Sequence, residues 1–379
     1  NKKSEREMKM SKDNNINIKP EYMGVVKKLI DTEISGISPF AYAEEKEMTQ
    51  SIKDELIKDG ILNSQGKINE NILSALNKLA GAKAYTNIGL TVGMDTYEYA
   101  NYFNEGDSVT AILTPDYFSI QNEQVCDDIV EFIKQYTGES VISSLEFEEQ
   151  LELGDAFVFV ACIDVLRKNI LKDLVNENHS KELTLNPKTI VNAIESQKDD
   201  PTSFTHIITY LFDIKESPSQ EIIEKSFQNL TKKGLVEKEK NNYLPAKQMV
   251  VLAFRFLLYD RFLNVSTGVE SQDGKILNTG FLCVQSSIND ILYIDGSEGK
   301  LNFECMSGAQ LIKDIEGLFK EEPKWLYEQA EKAIEESEAK EESSNQINCT
   351  KCNSKIDEGA KFCPNCGEKT EEEKPKTKF

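Results

Sequence analysis

The stretch Leu230-Thr-Lys-Lys-Gly234-Leu-Val236 has an earlier counterpart, Leu56-Ile-Lys-Asp-Gly60-Ile-Leu62. In each, a helical run ends at a glycine and re-enters an apolar strand-like pair. After the later stretch come a charged turn, Tyr243-Leu-Pro and an apolar helix from Lys247 to Tyr259. Four strand-like runs follow: Phe262–Gly268, Lys275–Gln285, Asp290–Ile294 and Lys300–Cys305. Asp-Gly and Gly-containing breaks separate them and read as hairpin turns. A helix from Gly308 to Phe319 closes the unit.

The earlier copy has the same order. A helix over Glu70–Leu79 precedes strand-like runs at Ala84–Val92, Thr96–Asn104, Ser108–Leu113 and Tyr117–Gln121. A closing helix is read from Glu123 to Gln135. Identity between the copies is low, but the element order agrees throughout. The expected class is therefore α+β, with two pseudo-repeated halves. Each half has a winged-helix-like start, an antiparallel meander and a closing helix.

The remaining segments fit around these halves. The first 20 residues are lysine- and asparagine-rich and read as disordered, and Tyr22–Ile34 reads as a short amphipathic helix. Phe147–Val175 reads as one long helix, or two with a break at Gly154. Shorter helices are read at Pro187–Ser196 and Ser203–Phe212, with Ser219 as an N-cap for the second copy. Trp325–Ser337 reads as a helix, and Glu335–Gln346 as an acidic linker. The expected division is a tail and short helix at 1–42, a first αβ repeat at 43–138 and a helical insert at 139–216. A second repeat at 217–320, an arm and linker at 321–346, a zinc ribbon at 347–368 and a disordered tail at 369–379 complete it.

The ribbon carries the most specific motif. Cys349-Thr-Lys-Cys352 is followed, after ten residues, by Cys363-Pro-Asn-Cys366-Gly367. Two CxxC knuckles supply four soft thiolates, a tetrahedral set suited to one structural zinc ion, with no position left for water. A unit of this size has too little core to fold alone, so metal binding of roughly 10–16 kcal/mol becomes its folding energy. A redox CxxC pair would be expected beside a βαβ pattern, which is absent from this stretch. Such short ribbons resemble those at the ends of many bacterial and archaeal proteins.

Charge bounds the partners. The formal net charge is −21 over 379 residues. Residues 321–379 carry 15 acids and 10 lysines, so most of the acidity belongs to the body. Nucleic-acid binding draws on a basic excess, and this chain has none. Within the winged-helix-like start, Glu237, Glu239 and the apolar Met249–Phe256 run also lack the lysines and arginines that DNA contact needs. Cys126, Cys162, Cys283 and Cys305 are scattered in apolar runs and read as core residues, not as a disulfide framework. With no signal-like N-terminus and no apolar run near the ~20 residues of a membrane span, the expected location is cytoplasmic.

A catalytic constellation is not legible. His179 and His206 stand apart, and Asp290, Asp295 and Glu298 lack the spacing of a calcium loop. The expectation is a non-enzymatic protein that binds another polypeptide. Phe281, Leu282, Ile291 and Tyr293 on the second meander are the expected partner-binding residues.

Across residues 50–320 the hydrophobic pattern resembles the EspG family, cytosolic chaperones of type VII (ESX) secretion. The matching features are Leu56–Leu62, the helix with Leu73, Leu76 and Leu79, and the run Gly106–Leu113. In the second half they are Leu230–Val236 and the Phe281–Tyr293 hairpin. The resemblance implies two αβ halves about a quasi-twofold axis and a client that is a small helical secreted protein. The zinc ribbon and helical arm depart from that family. The alternative is a winged-helix-derived regulator whose ribbon contacts nucleic acid or a transcription complex.

Overall fold

The computed structural model describes residues 15–121, 125–177, 183–212, 214, 216–297, 299–344, 346–348, 351–352, 354–357 and 366. The first half contains strand β1 (Ile16–Ile18), helix α1 (Met23–Lys27), helix α2 (Gln50–Lys58) and helix α3 (Glu70–Ala80). Its meander is β2 (Ala84–Val92), β3 (Asp95–Asn104), β4 (Asp107–Leu113) and β5 (Phe118–Gln121), closed by α4 (Val125–Thr137). The chain continues through β6 (Glu148–Glu152), α5 (Leu153–Val175), α6 (Pro187–Gln197), α7 (Phe204–Leu211) and α8 (Gln220–Lys232). A small hairpin, β7 (Val236–Glu239) and β8 (Asn242–Pro245), leads into α9 (Lys247–Arg255). The second meander is β9 (Arg261–Glu270), β10 (Ile276–Ser287), β11 (Asp290–Ser297) and β12 (Lys300–Met306). Then come α10 (Gly308–Lys320), α11 (Lys324–Ser344) and a terminal hairpin, β13 (Gln346–Asn348) with β14 (Lys355–Asp357).

Among the described residues, the two meanders form one ten-stranded sheet in the order β1-β5-β4-β3-β2-β9-β10-β11-β12-β6. All its neighbours are antiparallel. The halves join through the first strand of each meander, in register from Ala84↔Val269 to Val92↔Arg261.

The repeat extends to individual hydrogen bonds. Thr49 caps α2 by accepting from Ile52 N at 3.3 Å, and Ser219 caps α8 by accepting from Ile222 N at 3.4 Å. At the C-termini, Gly60 (φ +76°) and Gly234 (φ +71°) both adopt the left-handed conformation. Ile61 N donates to Leu56 O at 2.9 Å, and Leu235 N donates to Leu230 O at 3.0 Å. Gly60 N reaches Ile57 O at 3.1 Å and Gly234 N reaches Thr231 O at 3.0 Å, completing the same Schellman closure twice. Leu56 and Leu230 are fully buried beneath these turns.

Helices cover both faces. On one face α1–α3 pack over the first meander through residues such as Val26, Leu76 and Tyr102. On the same face α5–α9 pack over the second through Phe159, Phe227 and Phe303. Across the opposite face α4 and α10 share one core that draws on both halves, including Ile88, Tyr99, Val265 and Phe319. The last carbonyls of α10, orphans of any helix end, accept from the other half: Thr86 Oγ1 to Leu318 O at 2.8 Å and Asn101 Nδ2 to Phe319 O at 2.8 Å. Leu326 and Ala330 of α11 pack against Ala84, Phe103 and Val269 beside the junction.

Several expectations are corrected. Phe147–Val175 is not helical throughout. Glu148–Glu152 alternates acids with buried Leu151 and pairs with β12 as an edge strand, Leu151 opposite Leu301. Gly154 lies in the first turn of α5 and does not break it. Ile16–Ile18 is likewise no disordered tail but the opposite edge strand, with Ile18 fully buried. Pattern reading missed both because a strand of three to five residues shows too few alternations to stand out. Tyr22–Ile34 is helical only over Met23–Lys27, after a 3-10 turn at Pro20–Tyr22. The acidic stretch after Glu335 continues α11 to Ser344 and then enters β13. Acids disfavour a core but not a helix, since glutamate and lysine are good helix formers.

Substituting Gly60→Ala or Gly234→Ala should cost roughly 1–2 kcal/mol each, because an added Cβ meets the left-handed penalty and no steric clash. The two sites are in different halves, so the losses should add in the double variant. Urea midpoints with an unchanged slope would show this; a negligible shift at either site would break the equivalence of the two closures.

Candidate functional site

Burial divides the four expected partner-binding residues. Leu282 is 6 % exposed and packs under α5–α9, and Ile291 is fully buried under α4 and α10. Neither is available on the surface, which corrects that part of the expectation. Phe281 and Tyr293 lie on the other side of β10 and β11 from Leu282, with ring centroids 4.7 Å apart and tilted by 33°. Both open into a cavity of ≈ 650 Å³ bounded by β9–β11, α10 and the start of α11.

Lys313, Asp314, Gly317 and Leu318 of α10 form one wall, and Trp325 and Gln329 of α11 another. The Glu321–Pro323 turn joins them. Trp325 is 43 % exposed and is the only tryptophan in the chain. Asp295 stands at the floor, accepting from Asn302 Nδ2 at 2.7 Å and from the Tyr293 hydroxyl at 3.4 Å. Asp314 accepts from Gln310 Nε2 at 2.7 Å one helical turn away.

Carboxylates crowd here. Burial, followed by the nearby charges of Glu148, Asp314 and Asp295, holds the Glu304 carboxyl above its ordinary range. Asp314 is also raised, chiefly by burial. The Tyr293 hydroxyl is pushed up by burial and by Asp295, among other neighbouring groups. Sequence reading found Phe281 and Tyr293 by hairpin position. It missed Trp325 and Asp314, because only the packing of α11 and α10 over the sheet brings them to the same cavity. A lone tryptophan at a helix start was the available signal.

Other candidates resolve as structure. His206 Nδ1 lies 2.7 Å from Lys198 O and stays within its helical layer; His179 falls outside the described residues. Asp290 is engaged by Ser287 Oγ at 2.6 Å and by Ser144, and Glu298 falls outside the described residues. Cys162 and Cys283 are buried, with thiols raised by burial, and burial pushes Cys305 up to about 12. Such thiols are poor nucleophiles at neutral pH. A buried pair, Asp164 and Arg167 at 2.7 Å, ties α5 to α7: Asp164 accepts from Phe204 N at 3.0 Å and Thr205 N at 2.8 Å.

The second candidate is the terminal hairpin. Its strands pair Gln346↔Asp357, Ile347↔Ile356 and Asn348↔Lys355, and Lys351 and Cys352 lie in a turn between them. Cys352 Sγ lies 2.9 Å from Ser354 Oγ in that turn. Cys352 and Cys366 are within the described residues; Cys349 and Cys363 fall outside them. The four-thiolate donor chemistry of the two CxxC motifs fits zinc.

The comparisons agree with this part of the chain. Residues 348–370 match the zinc-ribbon domain family, which supports zinc binding. Comparison with curated proteins finds no match. No helix among the described residues is long and apolar enough to cross a membrane.

The raised carboxyls set a pH dependence. The folded chain keeps its proton on Asp314 and Glu304 to higher pH than the unfolded chain does. Stability contributed by these groups is therefore present at low pH and lost as pH rises through their raised values. Asp314→Asn should flatten the fall in urea midpoint above the ordinary aspartate range. An unchanged pH profile would show that this carboxylate is as well solvated folded as unfolded.

Proposed function

We propose that the protein is a non-enzymatic cytosolic chaperone or adaptor that binds another polypeptide, with a zinc ribbon as a second contact. The observation that carries this reading is the open cavity in which Phe281, Tyr293 and half-exposed Trp325 converge on a helix-covered sheet. Aromatic side chains gathered in a partly desolvated recess are the usual anchors of polypeptide recognition. The acidic body supports a protein or peptide partner over a phosphate backbone. The hydrophobic-pattern likeness to EspG chaperones supports a small helical secreted protein as client.

In this reading Cys349, Cys352, Cys363 and Cys366 hold one structural zinc ion. When bound, the ion supplies folding free energy to the ribbon. The hairpin of β13 and β14 brackets Cys352, the second thiolate of the first pair.

A second reading is favoured by one observation. The order α5, a bridge at Leu185, α6, α8 and the β7–β8 hairpin is that of a winged helix, with Leu185 paired to Tyr243 on the hairpin and α7 inserted before α8. A winged-helix regulator with a nucleic-acid-contacting ribbon would use α8 and this wing. Their exposed residues mix Glu221, Glu224, Glu237 and Glu239 with Lys225, Lys232, Lys238 and Lys240, so no basic face forms.

Two measurements test the proposal. Cys352→Ser should remove about one equivalent of zinc and unfold the ribbon, while the melting of the body stays nearly unchanged. Among the described residues, the body's four apolar cores use none of the ribbon, so collapse of the body would show instead that the ribbon is part of its core. Affinity capture from native cytosol, read by mass spectrometry, should return the same small polypeptide with the wild-type chain and with Cys352→Ser. That polypeptide should be lost with Phe281→Asp or Trp325→Asp at unchanged circular dichroism. Specific duplex DNA binding with a steep salt dependence would overturn the proposal and establish the winged-helix reading.

A further inference from the structure

The cavity is unusual in pairing aromatic walls with carboxylates. Its lining contributes Asp295, Asp314, Glu321 and Glu322 against one cation, Lys313. Asp295 and Asp314 sit on different elements, the floor strand β11 and the wall helix α10. Phe281, the register partner of Asp295, lines the same cavity with Tyr293 and Trp325. Burial raises the Asp314 carboxyl, and burial followed by the charges of Glu148, Asp314 and Asp295 raises that of neighbouring Glu304. A rigid fold that gathers like charges around exposed π faces is complementary to a cation with a flat, weakly hydrated surface. Guanidinium meets both demands: it stacks on aromatic rings and donates in parallel to carboxylates.

We propose that this cavity binds an organic cation, the guanidinium of an arginine-type group, between the carboxylates of Asp295 and Asp314 and the rings of Phe281, Tyr293 and Trp325. Asp314 and Asp295 supply the charge. The aromatic rings supply the stacking surface, and Gln310 and Asn302 hold the two carboxylates in place. Lys313 lies at the wall and disfavours a second cation. The site rests on the polypeptide-binding reading only for its natural source, an arginine side chain on the client. The same chemistry would also admit a free guanidinium metabolite.

The single tryptophan makes the test direct. Trp325 fluorescence of the full chain is titrated with Nα-acetyl-arginine amide, with the isosteric neutral citrulline amide and with acetyl-lysine amide. Expected is a saturable change with the arginine probe, a weaker one with lysine and none with citrulline. Asp314→Asn and Asp295→Asn should each weaken arginine binding roughly tenfold, as loss of a charge-assisted hydrogen bond does. Glu237→Gln, on the distant wing, should leave it unchanged. Equal responses to arginine and citrulline, no saturation, or full binding in both Asp variants would overturn the site. A helical peptide carrying one arginine, compared with its citrulline twin, identifies the source. Tighter binding of the arginine peptide than of the amide supports a client side chain. Binding of the amide with exclusion of the peptide keeps the cation site and removes the client from it. Client capture that persists in an Asp variant unable to bind the amide keeps the polypeptide reading and overturns the client's arginine as the source of the cation.

Discussion

The fold depends on one ladder, the antiparallel pairing of β2 with β9. Each strand opens its own meander, and each would be a bare edge without the other. Their union turns two sheets into one. A buried pair of hydroxyls marks it: Thr86 Oγ1 and Thr267 Oγ1 are 3.0 Å apart, and Thr267 Oγ1 lies 2.8 Å from Tyr85 O. Thr86 and Asn101 then satisfy the end of α10 from the other half. Those bonds anchor α10, and α10 with α11 forms the walls of the cavity. The recess is therefore a product of the junction, although its floor belongs to the second meander.

The repeat was legible because its strongest signals are local. Gly60 and Gly234 each follow a helix and precede an apolar pair, and only a left-handed closure suits that pattern. The eight meander strands were legible because each alternates over several residues between turn signals. The short edges β1 and β6 were not, since their identity comes from β5 and β12 across the ladder and not from their own sequence. The two CxxC pairs were legible as a metal site because the chemistry is in the residue type and its spacing.

The cavity was half legible. Phe281 and Tyr293 were singled out together with Leu282 and Ile291; the phase of the pleat sets Leu282 apart, while Ile291 shares the face of Tyr293. What remains is decided by where the helices land: α5–α9 cover Leu282, and on the cavity's own face α4 and α10 cover Ile291 but leave Phe281 and Tyr293 lining the recess. The carboxylate side was not legible, because Asp295 and Asp314 meet through tertiary packing. In a chain of net charge −21, single acids carry no signal of their own.

The junction also sets a schedule. Thr86 and Thr267 are 181 residues apart in the chain. At a synthesis rate of about 5–20 residues per second, β2 emerges roughly 10–35 s before β9 can reach it. During that interval the nascent first half presents an unpaired strand with Ile88 and Leu90 on one face. Long-range pairing is slow even once both strands exist, because loop closure precedes any contact that rewards it. A second copy of the chain, emerging nearby, offers the same β9 in trans. The fold is thus open to strand exchange between neighbouring nascent chains on one messenger, and the route to a monomer is a kinetic competition that favours slow initiation.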